Sequence, residues 1–377
     1  VLSTAVPKAG PGVLVSFLIA GLAAGLSAIC YAELASTIPV SGSTCSYAYA
    51  TLGELAAMGI AACLLLEYGV STAAVAVGWS GYLNTLLHDL FGFELPYALS
   101  HAPDSVSDAG VRGVVNLPAV VLIGLCALLL VRGASESAAA NAVMVIVKLG
   151  VLALFVVIAL TAFRAGNFSP FLPLGFSGVG AAAGTIFFSF IGLDAVSTAG
   201  EEVKDPQRTM PRAILAALGI VVVFYLLVAG AAIGAQRWTD FEGQEAGLAL
   251  ILQHVTGSTV PGIVLAAGAV VSIFSVTLVT LYGQTRILFA MGRDGMLPQR
   301  FARVDPRTLT PTFNTVVVAA AVAVLAALVP LSVLSDVTSI GTLAAFIVVA
   351  IGVMVLRRTA PDLPRGFRVP GYPVTRC

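Results

Sequence analysis

Lys148 is the only basic residue deep inside an apolar stretch, NAVMVIVKLGVLALFVVIAL, and charges in such surroundings are costly and therefore informative. If its helix begins near residue 140, the lysine sits about 12 Å from the basic-rich end of the segment. Two readings fit it: a side chain that snorkels to the interface, or a fixed ammonium inside the bundle, pairing with backbone carbonyls in the way that a bound sodium ion would. Glu67, in LLLEYGVS, and Asp194, in FIGLDAVS, are carboxylic acids within apolar segments, and either can take up and release a proton during a working cycle. A structural ion pair is the other reading of Glu67, and a cap for a restarted half-helix is the other reading of Asp194. Tyr68 and Tyr225 add hydroxyl groups within the same kind of segment, suited to a water-linked proton relay or to ordinary helix contacts.

Asp194 follows a feature that lipid should not tolerate. Residues 187–206, FFSFIGLDAVSTAGEEVKDP, begin as a membrane segment but carry the run Gly192 to Asp194 near their middle. Non-helical backbone at membrane depth survives only where it faces protein or a water-filled cavity, and in transporters such breaks hold the substrate. A half-helix ending near Ile191 presents carbonyl groups and a negative dipole end, suited to an ammonium group. A partner half-helix would present amide groups, suited to a carboxylate, and a ligand carrying both groups is an amino acid. Phe188 and Ile191 are three apart and can share a face that closes over such a ligand, whereas Phe187, Phe188 and Phe190 cannot all face it.

The elements that must position these residues follow from composition. The 377 residues are 58% hydrophobic and only 10% charged, which describes an all-α polytopic membrane protein and excludes a soluble core. Nine apolar segments are expected, at 13–33, 56–87, 114–131, 142–162, 178–200, 213–234, 260–291, 315–334 and 340–356. Fourteen of the nineteen Lys and Arg residues fall on one side of these spans and four on the other, with Lys148 within a span. The positive-inside rule then puts Val1 outside and the chain end in the cytoplasm. That orientation, with no signal sequence, leads us to expect at least one span ahead of Val1. The second and seventh segments each have 32 residues, long for a bilayer core of about 30 Å, and they stand five apart. Matching anomalies at that interval mark an inverted repeat of five helices, the first ending at about residue 163 and the second starting at about 178. On that count the broken fifth segment has a counterpart upstream of Val1.

Other chemistries find little support. Basic and acidic residues balance at nineteen each, and no basic run interleaves with aromatics, so nucleic acid is not an expected partner. His88, His101 and His254 form no metal-ligand motif, the five cysteines have no CxxC spacing, and no nucleophile elbow or phosphate-cradling loop is present, so neither a metal nor a cofactor nor an enzyme is expected. Ser272, Ser275, Thr277 and Thr280 read as helix-packing residues.

Five stretches in order carry a family resemblance: AELASTIPVSGSTCSYAYATLGELAA (32–57), LLLEYGVSTAAVAVGWSGYL (64–83), FIGLDAVSTAGEEVKDPQRTMPRAI (190–214), LYGQTRILFAMGRDGMLP (281–298) and PDLPRGFRVPGYP (361–373). They resemble amino acid permeases of the amino acid, polyamine and organocation superfamily, nearest its cationic amino acid transporter branch. The resemblance implies a leucine-transporter-like inverted-repeat bundle in the plasma membrane. It implies sodium-independent transport of amino acids, driven by protons or by exchange, and leaves open whether the substrate is small and neutral or cationic. It also implies that the lysine matching Lys148 occupies the sodium position and that Phe188, Ile191 and Gly192 line the substrate pocket. Glu67, Tyr68, Asp194 and Tyr225 then lie near that pocket or its proton route. Such permeases begin with a broken helix, of which residues 1–4 match only the part after the break, and continue past VPGYP through further spans, so the chain is expected to be truncated at both ends. Leu193 stands where relatives often carry Phe, which bears on the size of the pocket. A non-transporting amino acid sensor or accessory subunit on the same fold is the competing expectation.

Overall fold

A computed structural model describes residues 1–38, 47, 53–107, 110–133, 138–192, 203, 205–244, 246–293, 295, 297–308 and 310–370. Helices account for most of the described residues: α1 (Leu2–Ala9), α2 (Val13–Thr37), α3 (Glu54–Phe91), α4 (Leu117–Val131), α5 (Ala138–Thr161), α6 (Gly175–Phe187), α7 (Pro206–Ala235), α8 (Gly247–Thr256), α9 (Val260–Arg293), α10 (Thr312–Leu328) and α11 (Leu331–Thr359). Among the described residues six helical stretches are long and apolar enough to cross a membrane, and α4, α6, α8 and α10 are shorter apolar helices. The bilayer offers no partners for backbone N–H and C=O groups, so each span satisfies its own by forming a helix.

The helices form two layers. In the first, α1, α2, α6 and α7 share a core of small and aromatic side chains that includes Ala24, Ala28, Tyr31, Ile186, Phe190 and Ile214. In the second, α3, α4, α9 and α10 pack around Ala73, Trp79, Leu122, Ile123, Leu281 and Val322. Helices α5 and α11 each touch both layers.

Small residues set the closest approaches. On α2, Ala20, Ala24 and Ala28 recur every fourth position and are buried, with Gly21 and Gly25 beside them. A Cβ at Gly21 would lie 3.1 Å from Val222 of α7, and one at Gly25 would lie 3.6 Å from Leu218. Without a hydrophobic drive in lipid, this close packing holds the helices together. Between α3 and α9 the contact is instead polar. Trp79 Nε1 donates to the Val270 carbonyl (2.9 Å), Gln284 Nε2 to the Leu65 carbonyl (2.9 Å), and Thr72 Oγ1 to Thr280 Oγ1 (3.0 Å). Thr280 is therefore a packing residue, and Ser272 and Thr277 bond carbonyls of their own helix.

Each of the nine expected segments contains a helix. The overlong second and seventh are α3 and α9, of 38 and 34 residues, about 57 and 51 Å long. Numbering the segments in order, the counterparts five apart are α2 and α7, α3 and α9, and α4 and α10, and each of these pairs packs together. The fourth pair, α5 and α11, are the two helices that touch both layers.

Two expectations need correction. The division between the last two segments falls at Val329–Pro330 and not between residues 334 and 340, so Asp336 lies inside α11. Proline ends the preceding helix because it lacks an N–H and restricts the residue before it. The helices α1 and α8 also lie outside the expected segments.

Candidate functional site

The fifth apolar segment breaks. Helix α6 tightens into a 3-10 turn at Phe188–Phe190, the chain becomes extended at Ile191 (ψ 143°), and Gly192 takes φ +93°. A Cβ at Gly192 would meet nothing within 4 Å, so glycine is required there by backbone handedness and not by crowding. Backbone carbonyls at the end of a helix have no intrahelical donors. That of Ser189 is met by Tyr225 Oη of α7 at 2.6 Å, while the Ile191 N–H returns to the Phe188 carbonyl at 3.3 Å. The Tyr225 ring meets Phe190 edge-on (5.5 Å between centroids) and lies tilted against Phe17 of α2 (5.7 Å).

The three phenylalanines divide between the layers. Phe187 and Phe190 are buried in the first core, whereas Phe188 is half-buried and packs against the second. The break and Phe188 thus lie where the two layers meet, with Ile191 half-buried beside them. Leu193 and Asp194 lie outside the described residues.

Glu67 and Tyr68 sit on α3 in the second layer. The Glu67 side chain is 3% exposed, and its Oε1 accepts a 2.6 Å hydrogen bond from Thr342 Oγ1 of α11. Gly341, next to that threonine, would bring a Cβ only to ordinary contact distance from Glu67, 3.7 Å, so α11 approaches α3 closely here. Tyr68 is buried with Ile60 and Leu64, against Ile287 of α9 and Val348 of α11.

Lys148 is not brought together with the others. Its side chain is exposed, as are those of Val145, Ile146 and Val147 beside it. Beyond it α5 is packed: Val151 meets Gly268 of α9, and Phe155, Val156 and Ala159 enter the first core.

Two ionic clusters at the ends of α11 escaped the reading of single segments. At one end Lys8 Nζ donates to Thr185 Oγ1 (2.7 Å) and stands 3.7 Å from Asp336 Oδ2, joining α1, α6 and α11. At the other end Glu33 of α2, 1% exposed, is held by the Arg357 guanidinium through both of its oxygens. The Val369 N–H (2.7 Å) and Arg365 Nε (3.5 Å) also reach it. Asp336 and Arg357 are 21 residues apart, about 32 Å along the helix, close to the thickness of a bilayer core. The sequence signal was an acid near the end of one apolar segment and arginines near the end of another; their pairing required the fold.

Two helix layers, a helix broken between them and ionic clusters at both ends of a long apolar helix describe a multi-pass membrane protein. The chain belongs to the amino acid permease family, which residues 1–375 match. It is 43% identical over 371 residues to a protein of Bacillus subtilis (strain 168) named branched-chain amino acid permease BcaP, covering 98% of this chain and 79% of that one. To the methylthioribose transporter of the same organism it is 42% identical over 372 residues, 99% of this chain and 79% of the relative. Cationic amino acid transporter 4 of Homo sapiens is 34% identical over 371 residues, 95% of this chain and 56% of the relative. The family and these relatives are transporters, and an enzymatic role is set aside.

Proposed function

We propose that this protein is a secondary transporter that carries amino acids across the plasma membrane, independent of sodium and driven by protons or by exchange. The observation that carries the proposal is the unwound backbone at Ile191–Gly192, where the two layers meet and where carbonyl groups can receive an ammonium group. Phe188, Ile191 and Gly192 would line the substrate site. Glu67, Asp194, Tyr68 and Tyr225 would serve the proton route, with Lys148 in the place of a sodium ion. The packing of α2 on α7, α3 on α9 and α4 on α10 supports two inverted five-helix repeats, to about residue 163 and from about 178, because elements near a two-fold axis meet their own counterparts. The excess of basic residues on one side of the spans supports an orientation with Val1 outside and residue 377 in the cytoplasm.

The methylthioribose transporter, matched as closely as the branched-chain permease, favours a second reading in which the substrate is a sulfur-bearing sugar. Such a ligand has neither ammonium nor carboxylate and would not use the dipole ends of a broken helix in the same way. Uptake of labelled leucine into proteoliposomes, competed by each of the twenty amino acids and by methylthioribose, separates the readings. We expect amino acids to compete. Uptake of labelled methylthioribose without uptake of labelled leucine rejects the amino acid reading, and binding without flux rejects transport.

A further inference from the structure

Away from the broken helix, a cavity of about 430 Å³ opens at the end of the bundle where α5 and α7 finish. Arg164, Arg237, His254 and Asp240 line it, with Ile251 and Val255 as apolar wall. Its shape is built by hydrogen bonds from the Arg164 N–H and from Asn167 Nδ2 to the Gly234 carbonyl (2.9 and 2.8 Å) and from Gln236 Nε2 to the Asp240 carbonyl (3.0 Å). Among the described residues neither guanidinium has a carboxylate within ion-pair distance. Histidine aside, two arginines and one aspartate leave the lining with one net positive charge.

The depth of the cavity says what it would meet. Tyr225 touches the break at Ser189, and Ala235, at the edge of the cavity, is ten residues further along α7, about 15 Å. That is half of a bilayer core of about 30 Å, so with the break near the midplane the cavity lies at the level of lipid headgroups. Val157 and Leu160 of α5 are exposed and three residues apart, so they share one helix face, and that helix ends at Thr161, three residues before Arg164. An acyl chain can lie along that stripe while a headgroup reaches the arginines.

We infer that this cavity binds the phosphodiester of an anionic phospholipid, its monoanionic phosphate between Arg164 and Arg237 and an acyl chain along Val157 and Leu160. Planar guanidinium groups suit phosphate oxygens, and Asp240 disfavours a second negative charge on the ligand. The inference rests on the membrane-spanning fold and not on transport, so a failure of one leaves the other standing.

The test is binding of phosphatidylglycerol to the full chain purified in detergent, followed by native mass spectrometry, with phosphatidylcholine and water-soluble glycerol phosphate as comparison ligands. Phosphatidylglycerol is expected to be retained preferentially. The double substitution Arg164→Gln/Arg237→Gln is expected to weaken its retention about thirtyfold, each basic group at a lipid surface contributing about a factor of five. Asp240→Asn is expected to strengthen retention, a change that misfolding would not produce. Equal retention of phosphatidylglycerol by the double variant, or no gain with Asp240→Asn, overturns the site. Glycerol phosphate binding as tightly as the lipid overturns the lipid assignment and leaves a site for a free phosphate ester.

Discussion

Replacing Arg357 with Met tests whether the ionic cluster at the end of α2 and α11 holds the bundle together. Glu33 is 1% exposed and the Arg357 side chain 10%, so water cannot take over what the guanidinium provides. Removing one member of a buried pair costs about 3–5 kcal/mol, chiefly because the other charge is left behind. Glu33 keeps the Val369 N–H at 2.7 Å and Arg365 Nε at 3.5 Å, which places the cost near the lower end, about 3 kcal/mol. Methionine fills most of the arginine stem's volume, so packing adds little. The measurement is a double-mutant cycle with Glu33→Gln, read as unfolding free energy in mixed micelles. Glu33→Gln removes the charge that the arginine neutralises, so Arg357→Met on that background is expected to be milder by about 2 kcal/mol. Additive losses within about 0.5 kcal/mol would refute the reasoning.

Three further outcomes follow from the site. Tyr225→Phe removes the 2.6 Å hydrogen bond to the Ser189 carbonyl while keeping the ring, and is expected to cost about 1 kcal/mol in the same unfolding assay; no change would mean that the carbonyl finds another donor. Glu67→Gln keeps an acceptor for Thr342 but holds no exchangeable charge, so proteoliposome uptake is expected to lose its response to an inward proton gradient while exchange of internal for external amino acid persists. A retained proton response assigns Glu67 to packing. Lys148→Ala is expected to abolish or uncouple uptake, and unchanged kinetics together with an unchanged lack of response to sodium would make the lysine an interfacial anchor.

Much of the architecture was legible in local composition, because lipid forces every spanning segment to satisfy its own backbone. Apolar runs of about twenty residues therefore announce helices before any packing is known, as α2, α5, α7 and α9 do. The break was legible for the same reason: a Gly-Leu-Asp run is out of place in lipid, and the chain leaves the helix at Ile191 with Gly192 at positive φ. The overlong segments were visible by length alone as α3 and α9. The division between the last two segments, by contrast, was not legible from apolar runs: the helix restarts directly after Pro330 and carries Asp336 within it.

Tertiary structure decided which polar groups meet. Nothing in LLLEYGVS tells Glu67 that its hydrogen-bond donor is Thr342, 275 positions away. Nor does Tyr225 carry any local sign that its hydroxyl caps a carbonyl on another helix. Glu33 and Arg357 sit 324 positions apart and meet because α2 and α11 finish at the same end of the bundle. The sequence by itself determined where the chain crosses the membrane and where its helix fails, since those are exchanges between backbone and lipid. The fold decided what fills the failure and what ties the ends, because a buried polar group is stabilised only by the partner that packing delivers.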